Sequence, residues 1–310
     1  MQVAELAGAD VRFLLAARRA LGLPIPAPDE RAYAKADIEA LRIATLARDA
    51  GVADEEMLEL MRTLGRGLAR SAQAMRALAL QLAIEPAISE HELAKRYARV
   101  ASDLGPLANP LVANLLAVYL RHVADSEAIT SEDRATGQLP GSREVTVCFA
   151  DLVGFTRLGE RFSPHELSRL ARRLERLVSE LCVAPVTLVK TIGDAAMLTC
   201  PEASPLVDVA LELLDVVEDA ESSLPQLHLG AASGPALSRA GDWFGAPVNV
   251  ASRITQTANP GTILVESKVR RELPDGYQCS YIGRRRLRGL SEPLRLYRVR
   301  RDPSAHGQNA

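Results

Sequence analysis

The sequence predicts an α+β protein, in which an all-helical bundle precedes a ferredoxin-like βαββαβ domain with extra strands. Three observations carry this. The 310 residues are too many for one ordinary core and fit two domains better. Before about residue 125 the chain is rich in Ala, Leu and Arg, with apolar residues at helical spacing. From Glu144 onward, β-branched and aromatic runs alternate with amphipathic stretches.

In the first half, Ile38, Leu41, Ile43 and Leu46 recur in steps of three and four, as do Met57, Leu60, Met61, Leu64 and Leu68. Such spacing places them on one helix face. Pro24, Pro26 and Pro28 separate two helical stretches, because proline donates no hydrogen bond and disfavours helix before it. Ser89, with Glu92 three residues on, has the form of a capping box. Residues 1–124 are therefore expected to form a bundle of about five helices, and no catalytic pattern appears in them. Residues 125–143 hold Ser126, Thr130, Ser131, Gly137, Pro140 and Gly141 among charges, which is linker chemistry. The helical pattern of Leu111–Asp125 can run into its first half.

In the second half, Glu144–Ala150 reads as a strand. Ser163-Pro164-His165-Glu166 opens a helix with a serine cap, proline at the first position and glutamate at the third. Leu167, Leu170, Leu174, Leu177 and Leu181 give that helix its stripe. Pro185–Thr191 and Ala195–Cys200 flank Gly193-Asp194, a hairpin signal. Leu206–Val217 is a second amphipathic helix and Leu227–Ala232 another strand. This order is the ferredoxin-like one. Short strands near Thr262–Val265, Tyr277–Ile282 and Leu294–Val299 extend the sheet, and residues 301–310 are expected to be a flexible tail.

Composition narrows the function classes. Lys and Arg total 37 against 39 Asp and Glu, a net charge of -2, which does not ask for nucleic acid or an anionic membrane as partner. The apolar stretch Pro110–Leu120 contains Asn114 and is too short for a transmembrane segment. Glu5 and Asp10 argue against a secretory signal. Cys148, Cys182, Cys200 and Cys279 form no CxxC pair and read as buried thiols in a reducing compartment. A cytoplasmic protein is expected.

Two acidic residues stand where metal ligands are expected. Asp151 follows the first strand in FADLVGFT, and Asp194 tips the hairpin in KTIGDAAM. In a ferredoxin-like sheet that strand lies beside that hairpin, so the carboxylates meet. Paired hard oxygens on rigid elements suit Mg²⁺ or Mn²⁺. Each Asp alone is also an ordinary turn former.

FADLVGFTRLGE, KTIGDAAM and GDWFGAPVNVASRITQTANPGTILVES, in that order and spacing, resemble a class III nucleotidyl cyclase catalytic domain over about residues 142 to 300. The domain expected is 144–300. The resemblance implies that Asp151 and Asp194, with the backbone carbonyl of Leu152, hold two divalent metal ions. It implies that Gly154, Phe155 and Thr156 form a turn for triphosphate oxygens. It gives Asn249 the role of orienting the ribose, and Arg253 that of balancing charge in the transition state. Lys190 and Asp242 match the adenylate cyclase pattern: a Lys donor and an Asp acceptor complement adenine, and guanine reverses both groups. Arg239 and Arg288 are weaker triphosphate candidates, and Arg284–Arg288 also reads as a charged edge strand. His165 and His228 read as cap and strand residues without chemistry, and Trp243 as packing. The family's sites form between two such domains, so a homodimer acting on ATP is implied.

Residues 1–124 resemble, more loosely, the regulatory domain of bacterial two-domain soluble cyclases, chiefly through DIEALRIATLARDAGVADEEMLELMRTLGRGLAR. The resemblance implies control of the catalytic dimer, in one relative by pH, with His122 as the regulatory candidate because its side chain titrates in the right range. An Ala- and Leu-rich bundle can also hold an apolar ligand such as a fatty acid. The alternatives are a guanylate cyclase or a non-catalytic nucleotide-sensing module.

Overall fold

Capping and proline placement set the helices of the N-terminal unit in the computed structural model, which describes residues 2–27, 30, 32–126, 142–219, 224–239 and 241–302. Five helices occur among these residues: α1 (Gln2–Leu6), α2 (Val11–Ala20), α3 (Lys35–Asp49), α4 (Asp54–Ala83) and α5 (Glu90–Ser126). Asp10 caps α2 by accepting the Phe13 amide at 2.8 Å. Pro24 and Pro26 lie in the connection to α3, and Pro28 falls outside the described residues. The Glu92 amide donates to Ser89 Oγ at 3.2 Å where α5 begins. That helix then runs on through Pro106 and Pro110 to Ser126. Of the rest of the predicted linker, 127–141 lies outside the described residues and Arg143 already opens the first strand; of the predicted tail, Arg301 still belongs to the last strand and 303–310 lie outside the described residues.

The core of this unit is small, built on Phe13, Leu14, Leu41, Met57 and Met61. The α2 end comes so close to α4 that a Cβ on Gly65 would lie 2.7 Å from the Leu21 carbonyl oxygen. Only part of each predicted stripe is buried: Ile43, Leu46, Leu60, Leu64 and Leu68 are exposed. Met57, Met61 and Gly65 form one row in steps of four and are buried, as are Ala79 and Ala83 further along the helix. Leu60, Leu64 and Leu68 form the neighbouring row, turned out of contact. Spacing defines both rows but not which one a partner helix meets.

The second unit is an eight-stranded sheet flanked by helices. Its elements are β1 (Arg143–Leu152), α6 (Phe155–Leu158), α7 (Pro164–Leu181), β2 (Thr187–Ile192), β3 (Ala195–Cys200), α8 (Ala203–Glu218), β4 (Leu227–Arg239), β5 (Asp242–Gly245), α9 (Ala246–Thr255), β6 (Thr262–Glu266), α10 (Ser267–Glu272), β7 (Tyr277–Arg285) and β8 (Leu294–Arg301). The strand order is β2-β3-β1-β4-β6-β8-β7, with β5 paired to the end of β4. Its first four strands are the ferredoxin-like set, and the last three extend the sheet as the sequence predicts. The capping box at α7 is present, with the Ser163 amide donating to Glu166 Oε2 at 2.8 Å and the Glu166 amide to Ser163 Oγ at 3.3 Å.

Both faces of the sheet are covered. Ala150, Leu152, Leu229 and Ile263 pack with Leu174 and Val178 of α7 and Leu206 and Leu213 of α8. On the other face Val145, Val147, Met197 and Ala232 pack with Ala251 and Ile254 of α9. The seat of α9 is close: a Cβ on Gly230 would lie 2.3 Å from the Thr255 amide nitrogen. Thr255 Oγ1 donates to the Ala251 carbonyl at 2.9 Å and lies 3.3 Å from that of Phe149 on β1. Cys148 and Cys200 are buried as predicted, whereas Cys182 and Cys279 are half-buried; all four are free. Among the described residues, no helix is long and apolar enough to cross a membrane.

Candidate active site

The centre of the sheet brings the two acidic residues together. Asp151 sits at the end of β1, opposite Ala195 of β3 and His228 of β4. Asp194 lies in the β2–β3 turn beside Gly193, whose φ of 63° is a left-handed value. The Leu152 amide donates to the Asp194 carbonyl at 3.2 Å, which ties the hairpin tip to the end of β1. The Asp194 carboxyl is held above the usual carboxylate range, first by burial and then by the charge of Asp151. Two carboxylates in this relation fit a divalent cation, which relieves the repulsion that raises the proton affinity of one of them. Among the described residues no group of three or more His, Cys, Asp or Glu is set to hold a metal ion. An ion here would complete its shell with backbone, water or phosphate oxygens.

His228, a strand residue on β4 as the sequence suggests, also borders this cluster. Its Nε2 lies 3.2 Å from Asp151 Oδ2 and its Nδ1 lies 3.3 Å from the Ala258 carbonyl oxygen. The Ala258 carbonyl oxygen accepts, so Nδ1 donates to it, and Nε2 bonds the Asp151 carboxyl group. Its pKa is raised by the Asp151 bond, against the opposing effect of burial. The β1–β4 register was the missing signal: a cross-strand neighbour is invisible until strand pairing is known.

Beyond Asp151 the chain turns at Gly154, whose φ is 74°, into the four-residue α6. Gly154 and Thr156 are exposed there, and Phe155 packs back on the core. Leu152 is buried.

A second cluster forms around Lys190 and Asp242. Lys190 follows a register shift in β2, and its Nζ donates to Asp242 Oδ2. The other oxygen, Oδ1, accepts the Trp243 amide at 2.9 Å, so both ends of the Asp242 carboxylate are fixed. Trp243 packs on the core beneath α9, as the sequence suggests. Asn249 and Arg253 share α9; Asn249 is exposed, and Arg253 Nη1 donates to Gln256 Oε1 at 3.2 Å. Arg239 ends β4 and Arg288 lies between β7 and β8; both are exposed. His122 lies within α5, and its side chain is outside the described residues.

Comparison with known proteins follows this division into two units. A family model for the adenylate cyclase regulatory domain matches residues 1–124. One for the adenylate and guanylate cyclase catalytic domain matches residues 138–300. The chain belongs to the class III nucleotidyl cyclases. A pH-sensitive adenylate cyclase of Mycobacterium tuberculosis is 44% identical over 99% of this chain and 79% of its own length. An adenylate cyclase of Streptomyces griseus is 32% identical over 78% of this chain and 60% of that protein. The crystal structure of the adenylyl cyclase CyaB from P. aeruginosa is 20% identical, with a TM-score of 0.44, over 52% of this chain and 95% of that one. The catalytic match takes in every site residue predicted from the sequence except His122, which falls within the regulatory match.

Proposed function

We propose that this cyclase converts ATP to 3′,5′-cyclic AMP and pyrophosphate, through attack of the ribose 3′-oxygen on the α-phosphorus. The observation that carries the base preference is the fixed Lys190–Asp242 pair. It offers a cationic donor and an anionic acceptor side by side, complementary to adenine N1 and its 6-amino group. Guanine would face each with a like group, and buried polar groups left unpaired reject strongly.

Asp151 and Asp194, with the Leu152 carbonyl, would hold two divalent ions, Mg²⁺ or Mn²⁺; when bound, these supply charge neutralisation at the triphosphate and acidify the 3′-hydroxyl. Gly154, Phe155 and Thr156 present a turn to triphosphate oxygens, with Arg239 and Arg288 adding positive charge around them. Asn249 orients the ribose, and Arg253 meets the charge that develops on the phosphates with a permanent guanidinium. The acidic pair comes from one protomer, and Lys190, Asp242, Asn249 and Arg253 from the other, in a head-to-tail homodimer. The helical unit controls the assembly. Its 44% identical relative is pH-sensitive, and His122 is the group proposed to respond here, although an apolar ligand such as a fatty acid is an equal candidate. The free thiols support a reading of the protein as cytoplasmic.

Turnover by the full chain, with ATP or GTP and with Mg²⁺ or Mn²⁺, tests the activity. ATP should be preferred, and Asp194→Ala should lower turnover at least about a hundredfold. Equal rates with GTP would overturn the base assignment, and unchanged Asp194→Ala turnover the metal assignment. Shared sites are tested by mixing two inactive variants, Asp194→Ala and Asn249→Ala. A twofold dimer recovers roughly a quarter of wild-type activity, because half the dimers are mixed and each of these has one intact site. A mixture that stays inactive overturns the shared site.

A further inference from the structure

We propose that His228 is a positioning residue that fixes the orientation of the Asp151 carboxylate and thereby sets the affinity of the site for divalent cations. The proposal rests on the reading of Asp151 and Asp194 as metal ligands. The ring is held at both ends. Nε2 meets Asp151 Oδ2 at 3.2 Å, and Nδ1 meets the Ala258 carbonyl at 3.3 Å. That carbonyl is itself pinned, because Ala258 is buried and its amide donates to the Ile254 and Thr255 carbonyls, each at 3.1 Å. The imidazole therefore ties the acidic end of β1 to the C-terminal end of α9, the helix carrying Asn249 and Arg253.

Burial strengthens the tie. The His228 side chain is 19% exposed and that of Asp151 is 30% exposed. A charge-assisted bond at a partly dry site is stronger than the same bond in water. A carboxylate with a free rotor would lose orientational freedom on gripping a cation; one already held at Oδ2 loses less. Partners that hydrogen-bond metal ligands typically change metal affinity by 10–100-fold when removed.

The test titrates Mn²⁺ against the full chain and follows the free-ion electron paramagnetic resonance signal, alongside the midpoint of Mn²⁺ activation at saturating ATP. His228→Leu keeps the bulk and removes both ring nitrogens, and should raise both midpoints by about 10–100-fold. The rate at saturating Mn²⁺ should return to within about threefold of wild type. His228→Gln, which keeps one amide donor, should recover part of the loss and serves if the leucine variant does not fold. A fall in rate or stability with the Mn²⁺ midpoints unmoved in both variants means that His228 is merely structural, and overturns the proposal. Asp194→Asn separates the two levels: if it binds Mn²⁺ as wild type does, the metal reading itself fails. If it loses binding while both His228 variants match wild type, positioning alone fails.

Discussion

In the catalytic unit the sheet is covered on both sides, and Leu213, Leu229 and Ile263 are fully buried. In the helical unit α5 leaves Leu107, Leu111, Leu115, Leu116 and Leu120 exposed, and α4 does the same with Leu60, Leu64, Leu68, Leu78 and Leu82. The two stretches have similar apolar character and opposite fates. A strand inside a sheet is closed in by neighbours on two edges and helices on two faces, so its apolar residues have nowhere else to go. A long helix meets a neighbour along one stripe, and a second stripe on the same helix adds nothing to a single chain's stability. Apolar spacing therefore measures stability in one unit and exposed surface in the other.

The largest expected effect tests that contrast directly. Leu229→Ala removes a β4 side chain of zero exposure and should cost about 2–5 kcal/mol in urea unfolding of the catalytic unit. Leu115→Ala removes one that is 48% exposed and should stay within about 0.5 kcal/mol for the helical unit. A loss above about 1 kcal/mol at Leu115 would mean that its face is covered in solution, and the contrast would break.

A smaller effect sits at the seat of α9. Gly230→Ala would put a Cβ 2.3 Å from the Thr255 amide nitrogen, backbone that cannot step aside as a flexible side chain does. A loss of about 1–3 kcal/mol is expected, by the mechanism of overpacking. Turnover should fall as well, because α9 carries Asn249 and Arg253 and must shift. Gly67→Ala has open space around its Cβ, so it should be neutral or slightly stabilising by helix propensity. Equal behaviour of the two variants in unfolding would show that the close approach is not rigid.

Much of the candidate site's geometry was legible before the fold was known, and the exceptions have one cause. Asp151 and Asp194 stand out because a polar residue at the end of an apolar strand and another in a glycine turn break local patterns. Their meeting follows from the β2-β3-β1 order that the ferredoxin-like pattern implies. The helix caps at Ser89 and Ser163 were readable for the same reason: their partners lie three residues away. The contacts of His228 were not legible because its partners Asp151 and Ala258 are 77 and 30 residues distant. The fixing of Asp242 was half legible. Its pairing with Lys190 spans 52 residues and needed strand geometry, although the adjacent Trp243 amide is its second partner. On α4, the choice between the Met57–Met61 row and the Leu60–Leu64 row depends on where α2 lands, which no local spacing encodes.

The smallest expected effect lies at the rim of the catalytic core, where burial is partial and a charge decides. Tyr277 on β7 donates to Asp208 Oδ1 at 2.8 Å and lies 2.8 Å from Ser204 Oγ, which joins the outer sheet to α8. Its phenol is pushed up to about 12, first by burial, with the Asp208 carboxylate opposing a second negative charge beside it. An unfolded tyrosine titrates near 10. The folded state therefore holds the proton more tightly than the unfolded state. The contribution is fully present below about pH 10 and is lost as pH rises from about 10 toward 12. Between about pH 9 and pH 11 the urea midpoint of the wild-type catalytic unit should fall further than that of Tyr277→Phe, which has no proton to lose there. Parallel falls in the two proteins would show that the rim is as wet as the exposed face of α5, and would move the boundary between the closed core and the open surface inward past Tyr277.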